Sequence, residues 1–148
     1  MRKVLLDTNM IVAAFDEAGS TSEEMKASAK AELAGLLNDD EVVLVITPLI
    51  RYEVLRGIAW AEPEKLKAMK QILNAFLELD IERKVSELAS DLFRLDDSQV
   101  ENPSDRNINK RNFDIFHFAV SKHHGLDLVS NDRHMPQLET LYQQYQSA

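Results

Sequence analysis

Four acids could share chemistry in this sequence: Asp7 and Asp132, which follow apolar runs, and Glu53 and Asp114, which lie within helical patterns. Carboxylates brought together in one crevice repel one another, so either some hold protons or a cation neutralises them. A ligand set made only of oxygen, without histidine or cysteine, favours Mg²⁺ or Mn²⁺ over zinc. Such a centre suits phosphodiester hydrolysis: it polarises a phosphoryl oxygen, activates a bound water and steadies the leaving oxygen. The cation would also cancel the repulsion between an acidic site and a nucleic-acid backbone. Each acid also has a plainer reading. Asp7 would cap a helix, Glu53 would pair with Arg51 or Arg56, Asp114 would complement a helix N-terminus, and Asp132 would be an ordinary turn residue.

The elements that carry these acids favour a joint role. Residues 3–6 read as a short buried strand ending at Asp7, and residues 10–15 as a short helix. Ser20, Thr21 and Ser22, followed by Glu23 and Glu24, signal a helix start. That helix reaches about residue 37, with Met25, Ala29, Leu33 and Leu36 or Leu37 on its inner face. Residues 42–46 form the clearest strand, continuous and β-branched. Thr47 and Pro48 open the helix that carries Glu53. Pro63 starts another helix, to about residue 77, before a short edge strand at 79–81 and an amphipathic helix over 84–95.

Residues 96–111 read as a polar loop, after which Asn112 caps a helix over 113–123 that Gly125 ends. A last strand over 126–129 and a turn at 130–132 precede a helix from Pro136 to about residue 145. Strands alternating with helices predict an α/β fold: one domain over 1–148, with a short parallel sheet of four to five strands flanked by helices. Ligands of such sheets bind outside the carboxyl ends of strands, where strand order reverses. If the first strand is central, all four acids can project into one crevice.

Bulk properties narrow the rest. A chain of 148 residues, 45% hydrophobic, suits one domain with an ordinary core. The absence of cysteine removes disulfide and thiolate chemistry. The N-terminal apolar run is too short for a signal peptide, and no stretch approaches the roughly 18–20 apolar residues of a membrane span. A soluble, cytoplasmic protein is expected. The net charge of −8 disfavours general nucleic-acid binding. Residues 16–41, however, carry eight acids and two lysines, a net −6. Arg106, Lys110 and Arg111 form a local basic cluster, and with Arg133 they are the candidate RNA contacts. His134, near Asp132, is a further candidate RNA contact; Asp105 could join the metal site but reads better as a solvated loop acid, and His123 and His124 read as cations complementing a helix end rather than metal ligands. Trp60, Tyr142 and Tyr145 read as core or interface aromatics.

Three segments resemble the PIN-domain family, in particular the VapC-like toxins of bacterial toxin–antitoxin pairs. They are V-L-L-D-T-N near the start, P-L-I-R-Y-E-V-L-R-G in the middle, and F-D-I-F-H-F-A-V-S-K-H-H-G-L-D-L-V-S-N-D-R-H-M near the end. The resemblance spans essentially the whole chain. It places the family's acidic quartet on Asp7, Glu53, Asp114 and Asp132, and its hydroxyl neighbours on Thr8 and Ser130. It implies a Mg²⁺- or Mn²⁺-dependent endoribonuclease that cleaves cellular RNA, forms homodimers and is held by a cognate antitoxin. Ile115, Phe116, His117 and Phe118 are bulkier than the family's usual residues, and the 96–111 loop is long, with its cations gathered at 106–111; both departures bear on substrate identity.

Other readings compete. A housekeeping PIN-type nuclease would share the quartet. A haloacid-dehalogenase-like phosphatase would want a second aspartate where this chain has Asn9. A non-catalytic binding domain would gain nothing from clustered acids.

Overall fold

The computed structural model describes residues 1–15, 22–100, 108–130 and 135–148. The chain divides into two compact units, Met1–Asp80 with Leu126–Asn131, and Ile81–Gly125 with Asp132–Ala148.

The first unit holds the whole sheet. Its elements are β1 (Arg2–Leu6), α1 (Thr8–Phe15), α2 (Glu23–Leu37), β2 (Val42–Ile46), α3 (Pro48–Arg56), α4 (Pro63–Leu73), β3 (Leu77–Glu78) and, after the second unit's helices, β4 (Asp127–Val129). All strand pairs are parallel, in the order β3-β2-β1-β4. β1 is therefore central, with Val4, Leu5 and Leu6 fully buried. Its amino end is exposed and its carboxyl end buried, and β2 follows the same gradient. The next strand in sequence lies on one side of β1, and the last strand on the other. That reversal makes the carboxyl end of β1 a topological switch point, the place where such sheets bind ligands.

Several boundaries differ from the sequence expectation, each for a local reason. α1 starts at Thr8, because the Asp7 carbonyl already accepts the amides of Met10 and Ile11. α4 ends at Leu73: the amides of Ala75 and Phe76 turn back onto Ile72 and Leu73. The edge strand consequently forms at once, with Leu77 opposite Val45 and Glu78 opposite Ile46, rather than at 79–81. The buried stripe of α2 is Lys26, Ala29 and Leu33, while Met25 and Leu37 are exposed. Ala29 and Leu33 are thus buried as expected, whereas Lys26 replaces Met25 at the amino end, which its aliphatic stem tolerates. Thr47 and Pro48 open α3 as expected, with Thr47 Oγ1 accepting the Ile50 amide at 3.2 Å.

The second unit contains α5 (Arg83–Gln99), α6 (Ile108–His124) and α7 (Met135–Ser147), which pack on one another. Val85, Ala89 and Leu92 of α5, Ile115, Phe118 and Ala119 of α6, and Leu138 and Leu141 of α7 are buried. The expected 96–111 loop is shorter at both ends. Asp96 and Asp97 are helical, and residues 108–111 open α6, so Asn112 lies inside a helix instead of capping one. A bidentate ion pair from Arg111 to Asp96, at 3.0 and 3.1 Å, ties the two extended ends together. Gly125, at φ +64°, supplies the left-handed residue that stops α6.

Candidate active site

Asp7 is the single residue between the end of the central strand, Leu6, and the start of α1, Thr8. Its amide donates to Val129 of β4 at 3.0 Å, continuing the β1–β4 ladder by one step. Its carbonyl begins α1. The side chain is thereby held at the switch point, only 3% exposed. Both carboxylate oxygens have donors: the Thr8 amide reaches Oδ1 at 2.8 Å, and the Ser130 hydroxyl reaches Oδ2 at 2.7 Å. Ser130 follows β4 directly, so the β1–β4 register brings it beside Asp7 across 123 positions of sequence. Its hydroxyl also lies 3.3 Å from Oδ1 of Asn9. Thr8 Oγ1 is buried without a hydrogen-bond partner among the described residues.

These groups offer a cation only oxygens and one side-chain amide, a hard donor set that fits Mg²⁺ or Mn²⁺. An orphaned buried hydroxyl beside a buried carboxylate is costly unless something else satisfies it. Asn9 is a member the sequence reading missed. Its position two residues after Asp7 was the available signal.

Glu53 lies in α3, half-buried, three residues after the buried Ile50. α3 packs against α1, the helix that follows Asp7. Arg51, one proposed structural partner for Glu53, pairs with Glu78 instead, at 2.8 Å. Arg56 lies over the Tyr52 ring.

Asp114 belongs to the second unit. It is 8% exposed and sits about two turns into α6, deeper than the first-turn position expected. That depth weakens the plainer reading, because the attraction of a helix N-terminus for acids fades beyond the first turn. Asp132 and Arg133 lie outside the described residues, as do Asp105, Arg106 and His134, and the Lys110 side chain is likewise not described. Arg111 is committed to Asp96, both side chains being only 16% and 14% exposed. Among the described residues, the three-membered group of metal-ligating side chains is Glu82, His123 and His124 in the second unit.

Trp60 is fully exposed, and Tyr52 is more than half exposed, so both fit an interface better than a core. Tyr142 and Tyr145 stack at 6.5 Å, and Tyr145 donates to Asp91 at 3.0 Å.

The comparisons with known proteins agree with this architecture. No curated protein sequence is significantly similar to the chain. Among solved structures, VapBC2 from Rickettsia felis, bound to a DNA fragment from its promoter, superposes with a TM-score of 0.66 at 15% identity. That match covers 91% of this chain and 92% of the other. A toxin–antitoxin complex from Klebsiella pneumoniae superposes with a TM-score of 0.55 at 18% identity, covering 87% and 86%. At these identities the likeness shows a shared fold. The sequence model of the PIN domain matches residues 4–141, from the central strand through most of α7, and the chain belongs to the PIN-domain family.

Proposed function

We propose that this chain is a Mg²⁺- or Mn²⁺-dependent endoribonuclease, the toxin of a toxin–antitoxin pair, whose acidic set is Asp7, Glu53, Asp114 and Asp132. The observation that carries the reading is the placement of Asp7. A buried carboxylate stands at the switch point of a parallel sheet, oriented by Ser130 and by its neighbour's amide, in a family of nucleases. When bound, the cation would polarise the phosphoryl oxygen and lower the pKa of the attacking water.

The chain's own residues do the rest. Asp7 accepts two hydrogen bonds that hold its carboxylate in one orientation, which a short, shared ligand set requires. Ser130 and the Thr8 amide supply those bonds, and Asn9 Oδ1 lies beside the Ser130 hydroxyl. The Thr8 hydroxyl, buried and without a partner among the described residues, is a group that an ordered water beside the metal would satisfy. Arg106, Lys110 and Arg133 are the proposed phosphate contacts, whereas Arg111 serves the α5–α6 junction.

An antitoxin partner is supported by the two structural relatives, each of which is a toxin–antitoxin complex. Residues 16–41, at net −6, would attract a basic antitoxin segment and speed encounter. The exposed aromatics Tyr52 and Trp60 offer anchors for a protein contact. A cytoplasmic homodimer is the proposed working form. No helix among the described residues is long and apolar enough to cross a membrane.

The test is incubation with total RNA and Mg²⁺ or Mn²⁺, with mapping of the ends produced. Asp7→Asn, Asp114→Asn and Asp132→Asn should each lower cleavage by roughly a hundredfold, about 2.7 kcal/mol of transition-state stabilisation. Glu53→Gln should act in the same direction. Wild-type rates in all four variants would sink the proposal. Expression alone should arrest growth, and the genomic neighbour should rescue it. A chain that cleaves RNA yet is harmless at high expression would be a housekeeping nuclease instead.

A further inference from the structure

The geometry points to a second cation site, outside the acidic set, in which Glu82, His123 and His124 hold a borderline transition-metal ion such as Zn²⁺. The three residues come from the start of α5 and the last turn of α6, and their ligand atoms all lie within 4.8 Å of one another.

Consecutive residues on a helix point about 100° apart and do not normally face each other. His123 and His124 nevertheless bring their rings to 4.8 Å between centroids, at 76°. Nε2 of His123 already lies 3.3 Å from Oε2 of Glu82. Tetrahedral Zn²⁺ with bonds of about 2.0–2.1 Å separates its ligand atoms by about 3.3–3.4 Å. The Glu82–His123 edge thus has the required length, and the other two ligand-atom separations are no more than 4.8 Å.

Two further observations point to a ligand. Nε2 of His124 is buried and has no hydrogen-bond partner among the described residues. Glu82 occupies the N-cap of α5 but makes no capping bond with its side chain. Glutamate is a poor cap, and here its carboxylate is turned toward His123 instead. The site also lies at the C-terminus of α6, where the helix dipole favours a cation.

Imidazole ligands select Zn²⁺, Ni²⁺ or Cu²⁺, whereas an oxygen-only set selects Mg²⁺ or Mn²⁺. The two centres are therefore separable by the hardness of the metal. Three protein ligands leave a fourth position for water. The ion would clip the first turn of α5 to the last turn of α6, fixing the ends of the two helices that frame the second unit. Metal binding goes beyond the expectation that these histidines complement a helix end, a position that they do occupy. Glu82, 41 positions from His123, is the member that sequence spacing could not supply.

The experiment is calorimetric titration of tag-free protein with Zn²⁺ in millimolar Mg²⁺, alongside the visible spectrum of added Co²⁺. One Zn²⁺ per chain should bind, and Co²⁺ should give the intense absorption of a tetrahedral centre. His123→Ala, His124→Ala and Glu82→Gln should each weaken Zn²⁺ at least tenfold, since losing a ligand costs no less than losing an outer-shell partner, roughly ten- to a hundredfold. Asp7→Asn and His134→Gln should bind Zn²⁺ as the wild type does. Zn²⁺ should raise the melting temperature of the wild type but not of the His123→Ala/His124→Ala protein. Zn²⁺ affinity unchanged in that double variant, or no Zn²⁺ bound by the wild type in Mg²⁺, would overturn the proposal. If the double variant folds poorly, the exposed Glu82→Gln change decides the matter alone.

Discussion

Ser130 donates a 2.7 Å hydrogen bond to Asp7, joining the residues that leave two neighbouring parallel strands. Because Asp7 is almost fully buried, the hydroxyl replaces water at Oδ2. Ser130→Ala should destabilise the fold by about 1–3 kcal/mol, the cost of leaving a charged acceptor short of one donor. In a double-mutant cycle with Asp7→Asn, the two changes should be non-additive. Urea denaturation measures both, and strict additivity would show that the contact contributes nothing.

Thr8 presents the opposite case. Its buried hydroxyl has no hydrogen-bond partner among the described residues, so the folded state gains little from it. Thr8→Val should be neutral or stabilising, by up to about 1 kcal/mol. RNA cleavage by the same protein should fall. A variant that loses stability and keeps full activity would mark the hydroxyl as structural.

Metal should stabilise the wild type, since a ligand bound only by the native state raises the melting temperature. Millimolar Mg²⁺ or Mn²⁺ is expected to do so, chelator to reverse it, and Asp7→Asn to abolish most of the rise. Melting curves indifferent to both metal and chelator would remove the proposed centre.

The Arg111–Asp96 pair predicts a division of labour among the basic residues. Arg111→Gln should cost about 2–3 kcal/mol, somewhat below the roughly 3–5 kcal/mol of breaking a fully buried pair. Neutralising Arg106, Lys110 and Arg133 should leave stability nearly unchanged. It should flatten the salt dependence of RNA binding by about 0.7 per lost contact. A salt slope that responds to Arg111→Gln alone would reverse these assignments.

Tyr145 donates to Asp91, and that bond, with the nearby negative charge, raises the pKa of the phenol above its usual value of 10.0. A folded-state pKa above the unfolded one contributes stability that is fully present below about pH 10 and is lost as pH rises through the folded value. Asp91→Asn should lower the alkaline midpoint of one of the three tyrosines in an absorbance titration. Identical titration curves for the two proteins would show that the pair is not formed in solution.

Much of the first unit could be read from local pattern. A buried β-branched run, a threonine followed by proline, and an aspartate after V-L-L are short-range signals whose physics is complete within a few residues. They correctly placed β1, β2 and the start of α3, and put Asp7 at a strand end. Helix boundaries were harder where a tertiary contact overrides a polar composition. Asp96 and Arg111 each read as loop residues, yet their ion pair lets α5 run longer and α6 start earlier. The sheet order was likewise undetermined by pattern, because β1 must choose neighbours from distant parts of the chain. That choice brings Ser130 to Asp7 over 123 positions, just as the packing of α5 on α6 brings Glu82 to His123 over 41. Residue types set which chemistry is available; only folding sets which donors meet, since side chains interact through space at hydrogen-bond range and sequence separation carries no such distance.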